Sequence, residues 1–462
     1  MQTSKLIARV SAGLTLVLTL LMATSSLPPI SFAPSVSVVT GTEPYSSAVG
    51  DFNNDGNPDV AVTNYASNSV SILLGNGNGT FQAPLQITSS VKTPTGIVTA
   101  DLNHDGKLDL IVCNGGTTHA LVFLGNGNGT FQSPTVYTTG NSPRDQVIAD
   151  FNNDGIPDFA TPNVVSANVS VFLGKGNGTF SPAVNYPVNA TAPKTVIAAD
   201  FNGDGKMDLA TGNDNSGNVS ILLGNGNGTF QNAVTYAAGG AIRDLASADF
   251  NGDGFADIVT ANGVGYTISI LFGNGNGTFQ PPVNYATDYS PRSIAIMDYN
   301  GDGTFQIGPK FKTGQQPTSV RSADFNKDGK PDLVITIGGH PITPITLQDY
   351  VTVVLNSPLS VSASTVQFNT QDVGTVSTTQ TVTLTNMGTT SINVTGVSVT
   401  GSNPTAFKQT NNCTTPLAAG GSCLLHVKFE PTTTGFQTAS VTVDDTAVAS
   451  PLVNVLMTGT GQ

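Results

Sequence analysis

The stretch Asp51-Phe52-Asn53-Asn54-Asp55-Gly56-Asn57-Pro58-Asp59 governs the reading of this 462-residue chain. It sets oxygen-bearing side chains at positions one, three, five and nine of a short acidic segment, with glycine at position six. Close copies start at Asp101, Asp150, Asp200, Asp249, Asp298 and Asp324, so the steps are 50, 49, 50, 49, 49 and 26 residues. Self-similarity at a fixed period of this length predicts a propeller or repeat array.

An oxygen-only donor set at alternate positions points to calcium, a hard cation that takes about six to eight oxygens from carboxylates, amides, carbonyls and water. In the first copy the expected ligands are the side chains of Asp51, Asn53, Asp55 and Asp59 and the backbone carbonyl of Asn57, with Gly56 permitting the turn. The same roles fall to Asp101, Asn103, Asp105, Lys107 and Asp109, and to Asp150, Asn152, Asp154, Ile156 and Asp158. They recur at Asp200, Asn202, Asp204, Lys206 and Asp208, at Asp249, Asn251, Asp253, Phe255 and Asp257, and at Asp324, Asn326, Asp328, Lys330 and Asp332. The sixth copy has Gln306 at position nine, which leaves Asp298, Asn300 and Asp302 as a weak site, so about six Ca²⁺ sites are expected in all. An EF-hand would need Glu at position twelve, where the regular copies hold Val62, Val112, Thr161, Thr211, Thr260 and Ile335. A metal-free Asp/Asn/Gly turn is the bland alternative for one copy, but not for a series of them.

Composition agrees. Twenty of the 28 aspartates sit in these loops, so much of the formal charge of −13 belongs to candidate metal sites and would be offset by divalent ions. The acidic balance argues against a nucleic-acid partner. Low charge content with 51 Gly and 27 Pro fits short strands and many turns. At the N-terminus, Lys5 and Arg9 precede an apolar run from Val10 to Ala23 and then small residues and prolines. Residues 1–33 are therefore expected to be a secretory signal, with no membrane span left after its removal, and the protein is expected to be secreted or associated with the cell envelope.

Each period repeats one order of events. In the fourth unit a strand at Val196-Ile197-Ala198-Ala199 enters the acidic loop, and strands at Leu209-Ala210-Thr211 and Val219 to Leu223 follow. The hairpin Gly224-Asn225-Gly226-Asn227-Gly228-Thr229-Phe230 then leads to a fourth strand through Tyr236. Four short antiparallel strands make one propeller blade. At these residues the chain resembles the FG-GAP and VCBS repeat family, whose fold is the calcium-binding β-propeller of integrin α heads. The resemblance covers 34–356 and implies that the acidic loops bind metal on the face opposite the usual ligand face. The sixth copy runs straight into Thr304-Phe305-Gln306, the sequence that elsewhere follows the hairpin, so blade six should be truncated. The last unit lacks a fourth strand, and Pro34 to Thr40 should supply it and close the ring.

From 357 to 462 the pattern changes to Thr/Val/Ser-rich strands, and the segments Val373-Gly374-Thr375, Phe429-Glu430-Pro431 and Gly459-Thr460-Gly461 resemble immunoglobulin-like domains of the abnormal-spindle and hydin type. The expected fold class is thus all-β: a β-propeller of seven motif copies followed by an immunoglobulin-like β-sandwich. In an exported chain Cys413 and Cys423 should form a disulfide, and Cys113 should be buried.

Catalytic signatures are absent from the sequence. The four His are scattered, and neither GxSxG nor HExxH occurs. The expected function is an extracellular binding or adhesion module and not an enzyme, with a lectin-like glycan-binding propeller as the alternative and a polysaccharide-active enzyme behind it. The chain has no Trp for sugar stacking, and the repeated Tyr137, Tyr186, Tyr236 and Tyr285 read as packing. Six residues before each acidic loop stand Tyr45, Thr95, Arg144, Lys194, Arg243, Arg292 and Thr318. Tyr45, Arg144, Lys194, Arg243 and Arg292 are candidate ligand-binding residues for an extracellular protein or acidic glycan, because a residue opening the innermost strand lies near the central opening. The competing expectation is local pairing of Arg144 and Arg243 with the adjacent Asp145 and Asp244.

Overall fold

Among the described residues, the second strand of blades one to five and seven is a short apolar run that follows the acidic loop, and it is buried on both faces. Asp59–Asn64, Asp109–Asn114, Asp158–Asn163, Asp208–Asn213 and Asp257–Asn262 are buried along their whole length. Such double burial follows from packing each blade between two neighbours. The computed structural model describes residues 6–11, 36–287, 289–297, 316–327, 329–338, 349–356, 359–363, 365–386, 391–413, 416–445 and 453–462.

Among these residues, blades one to five are four-stranded antiparallel sheets whose strands follow chain order from the centre outward. Blade four, for example, runs Pro193–Ala199, Asp208–Asn213, Asn218–Leu222, Val234–Ala237. Blade seven consists of Pro317–Ala323, Asp332–Ile337 and Tyr350–Val354, with Val36–Val39 as its outer strand. Val38 lies opposite Val351, so the start of the repeat region completes the last blade as the sequence pattern predicts. The innermost strands contact one another in order from blade one through blade seven and back to blade one, which closes a ring of seven positions.

Blade six is represented by its innermost strand, Pro291–Met297, packed between those of blades five and seven. The sixth acidic copy, including Asp298, Asn300, Asp302 and Gln306, lies wholly outside the described residues. Leu6–Ser11, within the expected signal, runs antiparallel to Pro291–Met297. An inner strand offers its backbone edge to any β-competent segment, and Leu6-Ile7-Ala8-Arg9-Val10-Ser11 takes it.

The two repeated motifs meet between blades. The last glycine of a hairpin donates its N–H to the carbonyl at position two of the preceding blade's acidic loop, as in Gly129 to Phe52 at 2.8 Å and Gly228 to Phe151 at 2.9 Å. Gly79 of blade one makes the same bond to Phe325 of blade seven at 2.9 Å and carries the tie across the closure. Beside these bonds, Phe52 packs edge-on against Phe131, Phe151 against Phe230 and Phe201 against Phe279. Tyr137, Tyr186 and Tyr236 pack on Phe180, Phe230 and Phe279, so these fourth-strand tyrosines are packing residues.

The C-terminal residues form two four-stranded sheets. One is ordered Leu359–Val361, Gln380–Asn386, Ser422–Phe429, Phe407–Asn411, and the other Thr365–Gln367, Val453–Gly461, Gly435–Asp445, Val394–Thr400. Phe407, Phe429, Leu425, Val441 and Val455 share one apolar core between them. Cys413 and Cys423 are disulfide-bonded. Cys113 is free and buried, and burial pushes its thiol up to about 12. Among the described residues no helix is long and apolar enough to cross a membrane.

Candidate functional site

Each described acidic loop turns through left-handed residues at positions four and six, with φ of 58° at Asn54 and 80° at Gly56. Asp51 Oδ1 and Asn53 Oδ1 then accept one N–H, that of Asp55, at 3.1 and 3.0 Å, and Asp51 Oδ2 accepts from Gly56 at 2.7 Å. Asp55 Oδ1 accepts from Asn57 at 2.8 Å. The second, third, fourth and fifth loops repeat this set around Asp105, Asp154, Asp204 and Asp253. In the last loop Asp324 accepts from Gly329 at 2.8 Å, and Asp328 lies outside the described residues.

The ninth-position aspartates differ from the others. Asp59, Asp109, Asp158, Asp208, Asp257 and Asp332 are 0% exposed. In the first loop Asp59 Oδ2 accepts the Phe52 N–H at 2.8 Å and Oδ1 that of Gly75 at 2.7 Å, so the carboxylate clamps the loop to the hairpin of its own blade. Asp332 spans from Phe325 to Asn356 where that hairpin is missing. Burial, with repulsion from the first and fifth aspartates, raises Asp59, Asp158, Asp208 and Asp257 to about 6.

At position seven the side chains of Lys107 and Lys206 reach Asp105 and Asp204 at 3.2 and 3.0 Å. Among the described residues no three His, Cys, Asp or Glu side chains are gathered into a ready-made metal cage. The loops nevertheless fit a hard cation: every candidate donor is an oxygen, Asp51 and Asn53 converge on one point, and carboxylate oxygens that accept one N–H keep a further lone pair.

At the opposite end of the innermost strands, about 20 Å away for a seven-residue strand, the candidate ligand residues do converge. Tyr45, Arg144, Lys194, Arg243, Arg292 and Thr318 line one cavity on the propeller axis. Thr95 is the exception: it is buried, its hydroxyl donates to the Pro143 carbonyl at 3.1 Å, and Gly96 lines the cavity in its place. The Arg144 Nη1 donates to the Tyr45 hydroxyl at 2.9 Å. Lys194 is ion-paired with Asp214, and Arg243 reaches the same Asp214 oxygen at 3.4 Å. Burial holds the Lys194 ammonium below its ordinary value, against the stabilising bond to Asp214. Arg292 is exposed and makes no hydrogen bond or ion pair with another described residue.

Local pairing of the arginines with Asp145 and Asp244 does not occur. Both carboxylates, with Arg321, line the deeper part of the same cavity. The Thr195 hydroxyl donates to Asp145 Oδ2 at 2.9 Å, with Asp244 Oδ1 at 3.5 Å from the same oxygen. Asp145 also accepts the Val196 N–H at 3.3 Å and Asp244 that of Ile294 at 2.7 Å, tying blade three to four and five to six. Burial, then the neighbouring Asp244, pushes Asp145 up to about 6. Asp214 was missed in the sequence, although it stands directly after the second strand, as Tyr65 does in blade one. Aligning units on their second strands would have found it.

The ring of blades, with an acidic loop at one end of every blade whose loop is described, defines a β-propeller. The FG-GAP-like repeat family matches residues 51–112, 101–161, 162–211, 200–260 and 249–307, more than half of the chain, and the chain belongs to that family. A HYDIN/CFA65/VesB-like Ig-like domain matches 358–460. Comparison with curated proteins returns no match.

Among solved structures, the Pseudomonas aeruginosa periplasmic gluconolactonase PpgL is similar at 15% identity and a TM-score of 0.47 over 64% of this chain and 99% of that one. A Lactobacillus plantarum protein is similar at 13% identity and 0.48 over 64% and 100%. An Agrocybe aegerita lectin, described as recognising non-reducing terminal N-acetylglucosamine, is similar at 18% identity and 0.40 over 72% and 85%. Likenesses this remote carry nothing about ligand or chemistry.

Proposed function

We propose that the protein is an exported, calcium-stabilised binding module whose ligand face is the axial funnel lined by Arg144, Lys194, Arg243 and Arg292, and that its ligand is anionic. The observation that carries this reading is the convergence of four cations from four consecutive blades in a chain whose net charge is −13. With Arg321 they outnumber Asp145, Asp214 and Asp244, so the funnel keeps an excess of positive charge and would focus it on an entering carboxylate.

Calcium, when bound, would neutralise the first, third, fifth and ninth positions of each loop. The chain's own part is to fix those oxygens through the loop N–H bonds and, by the ninth-position clamp, to couple each loop to its blade. Export is supported by the Cys413–Cys423 disulfide and the leader-like N-terminal composition.

The test is a glycan and protein array probed with and without a calcium chelator, alongside a variant with all four funnel cations changed to Gln. Anionic hits that weaken with salt and vanish in the variant would uphold the reading. Hits that the variant retains would place the ligand elsewhere.

A further inference from the structure

The funnel has two tiers of opposite sign. Its mouth carries the cations, of which Arg292 is exposed and unpaired among described residues, whereas Lys194 and Arg243 share Asp214. Its floor carries Asp145 and Asp244, which flank Thr195 Oγ1 and accept from that hydroxyl, from backbone N–H groups and, at Asp244, from the Ser293 hydroxyl, with Arg321 beside them; a carboxylate oxygen that accepts one such bond keeps a further lone pair. Arg321 is itself engaged, donating to the Val320 carbonyl at 2.7 Å. Beside the mouth, a second cavity shares Tyr45, Arg144 and Arg292 and adds Glu43 and Tyr65, whose ring centroid is 6.1 Å from that of Tyr45; two guanidiniums face the one added carboxylate there.

These features discriminate among anions. A phosphate or a dicarboxylate would bring a second negative charge towards Asp145 and Asp244 and be repelled, since like charges in a partly desolvated site are costly. A ligand carrying one carboxylate and several hydroxyl groups meets the opposite situation: the carboxylate faces the guanidinium of Arg292, and the hydroxyls donate to the floor. The tyrosines offer an apolar ring surface with a polar edge, which suits a sugar ring. An acidic peptide side chain would satisfy the mouth but brings no hydroxyl to the floor.

Resting on the proposed anion-binding funnel, we infer that the site takes a uronate-type acidic sugar, with its carboxylate at Arg292, its ring at Tyr45 and Tyr65, and its hydroxyls on Asp145 and Asp244.

The experiment is equilibrium binding by the full-length chain of four probes: oligogalacturonate, its methyl-esterified neutral form, a poly-aspartate peptide and inorganic phosphate. The variants are Arg292→Gln, checked for an unchanged melting profile, and Asp145→Asn, checked for a cooperative transition at least as stable as the parent's. The inference expects oligogalacturonate to bind best, the ester and phosphate poorly, and Arg292→Gln to weaken the uronate by about tenfold or more. Asp145→Asn should weaken the uronate while leaving phosphate unchanged or improved. Should Asp145→Asn fail to fold, Arg292→Gln decides, because its side chain bonds to no other described residue. Poly-aspartate binding as well as or better than the uronate, and weakened by Arg292→Gln, would overturn the sugar assignment and leave the anion funnel standing. No binding of any anion, or uronate binding indifferent to Arg292→Gln, would overturn the funnel itself.

Discussion

Arg144 of the third blade reaches across the funnel to Tyr45 of the first, donating from Nη1 to the phenol at 2.9 Å with its guanidinium carbon 5.4 Å from the ring centroid. Ninety-nine residues separate the two. The contact is possible because blade two presents Gly96, and not a long side chain, at the cavity wall. Tyr45→Phe keeps the ring under the cation and removes only the acceptor, so it should lower stability by about 1 kcal/mol in denaturant unfolding. A loss several times larger would mean that the hydroxyl holds more of the funnel than this bond.

Calcium should stabilise the propeller. Ions that bind the native state add RT ln(1 + [L]/Kd), about 2.7 kcal/mol per site at a hundredfold excess over Kd. The melting temperature should rise in millimolar calcium and fall in chelator, with about six ions bound per chain at saturation. Identical melting curves in the two conditions would remove calcium from the account.

Asp154 and Asp158 separate ligation from clamping. Asp154→Ala, at an exposed loop position, should cost stability only when calcium is present. Asp158→Ala strands the buried N–H of Phe151 and the half-buried N–H of Gly174 and should cost about 2 to 4 kcal/mol even in chelator. Equal behaviour of the two variants in chelator would show that the clamp contributes little.

Asp145 makes stability depend on pH. Its folded-state value of about 6 lies above the ordinary 3.8, so the folded protein holds this proton more tightly than the unfolded chain. The resulting contribution is fully present below about pH 4 and is lost as pH rises through about 6. Asp244, Arg321 and Thr195 face the same carboxyl and Cys113 its backbone carbonyl; Asp145→Asn also relieves the repulsion on Asp244, which acts in the same direction. The variant should therefore gain about 2 kcal/mol relative to the parent between pH 4 and pH 7. A difference between the two proteins that does not change with pH would contradict the shift.

Cys413 and Cys423 close a short loop in the C-terminal sandwich. Changing both to Ser should destabilise that unit by about 2 to 3 kcal/mol, through the greater freedom of its unfolded chain. Calorimetry should show the calcium-sensitive transition unmoved.

The blades were legible because each is a local unit. Its acidic loop, Asn-Gly hairpin and alternating strands declare themselves within one period, and repetition multiplies a weak signal into a strong one. Closure was legible too, since the last unit lacks the strand that Val36–Val39 provides. The clamp was not, because Asp59 looks like any loop aspartate until the Gly75 N–H arrives sixteen residues later.

The acidic loops, the repeat and the position of each funnel cation on its strand are properties of the sequence alone, because local backbone geometry and short-range spacing dictate them. Tertiary structure alone decided that Arg243 pairs with Asp214 and not its neighbour Asp244, that Thr95 turns into the blade, and that Asp145 and Asp244 share a floor. Those outcomes depend on closing seven strands, all but the last pair about fifty residues apart in sequence, around one axis. Which side chain faces the opening is then set by strand twist and by what the adjacent blades leave room for.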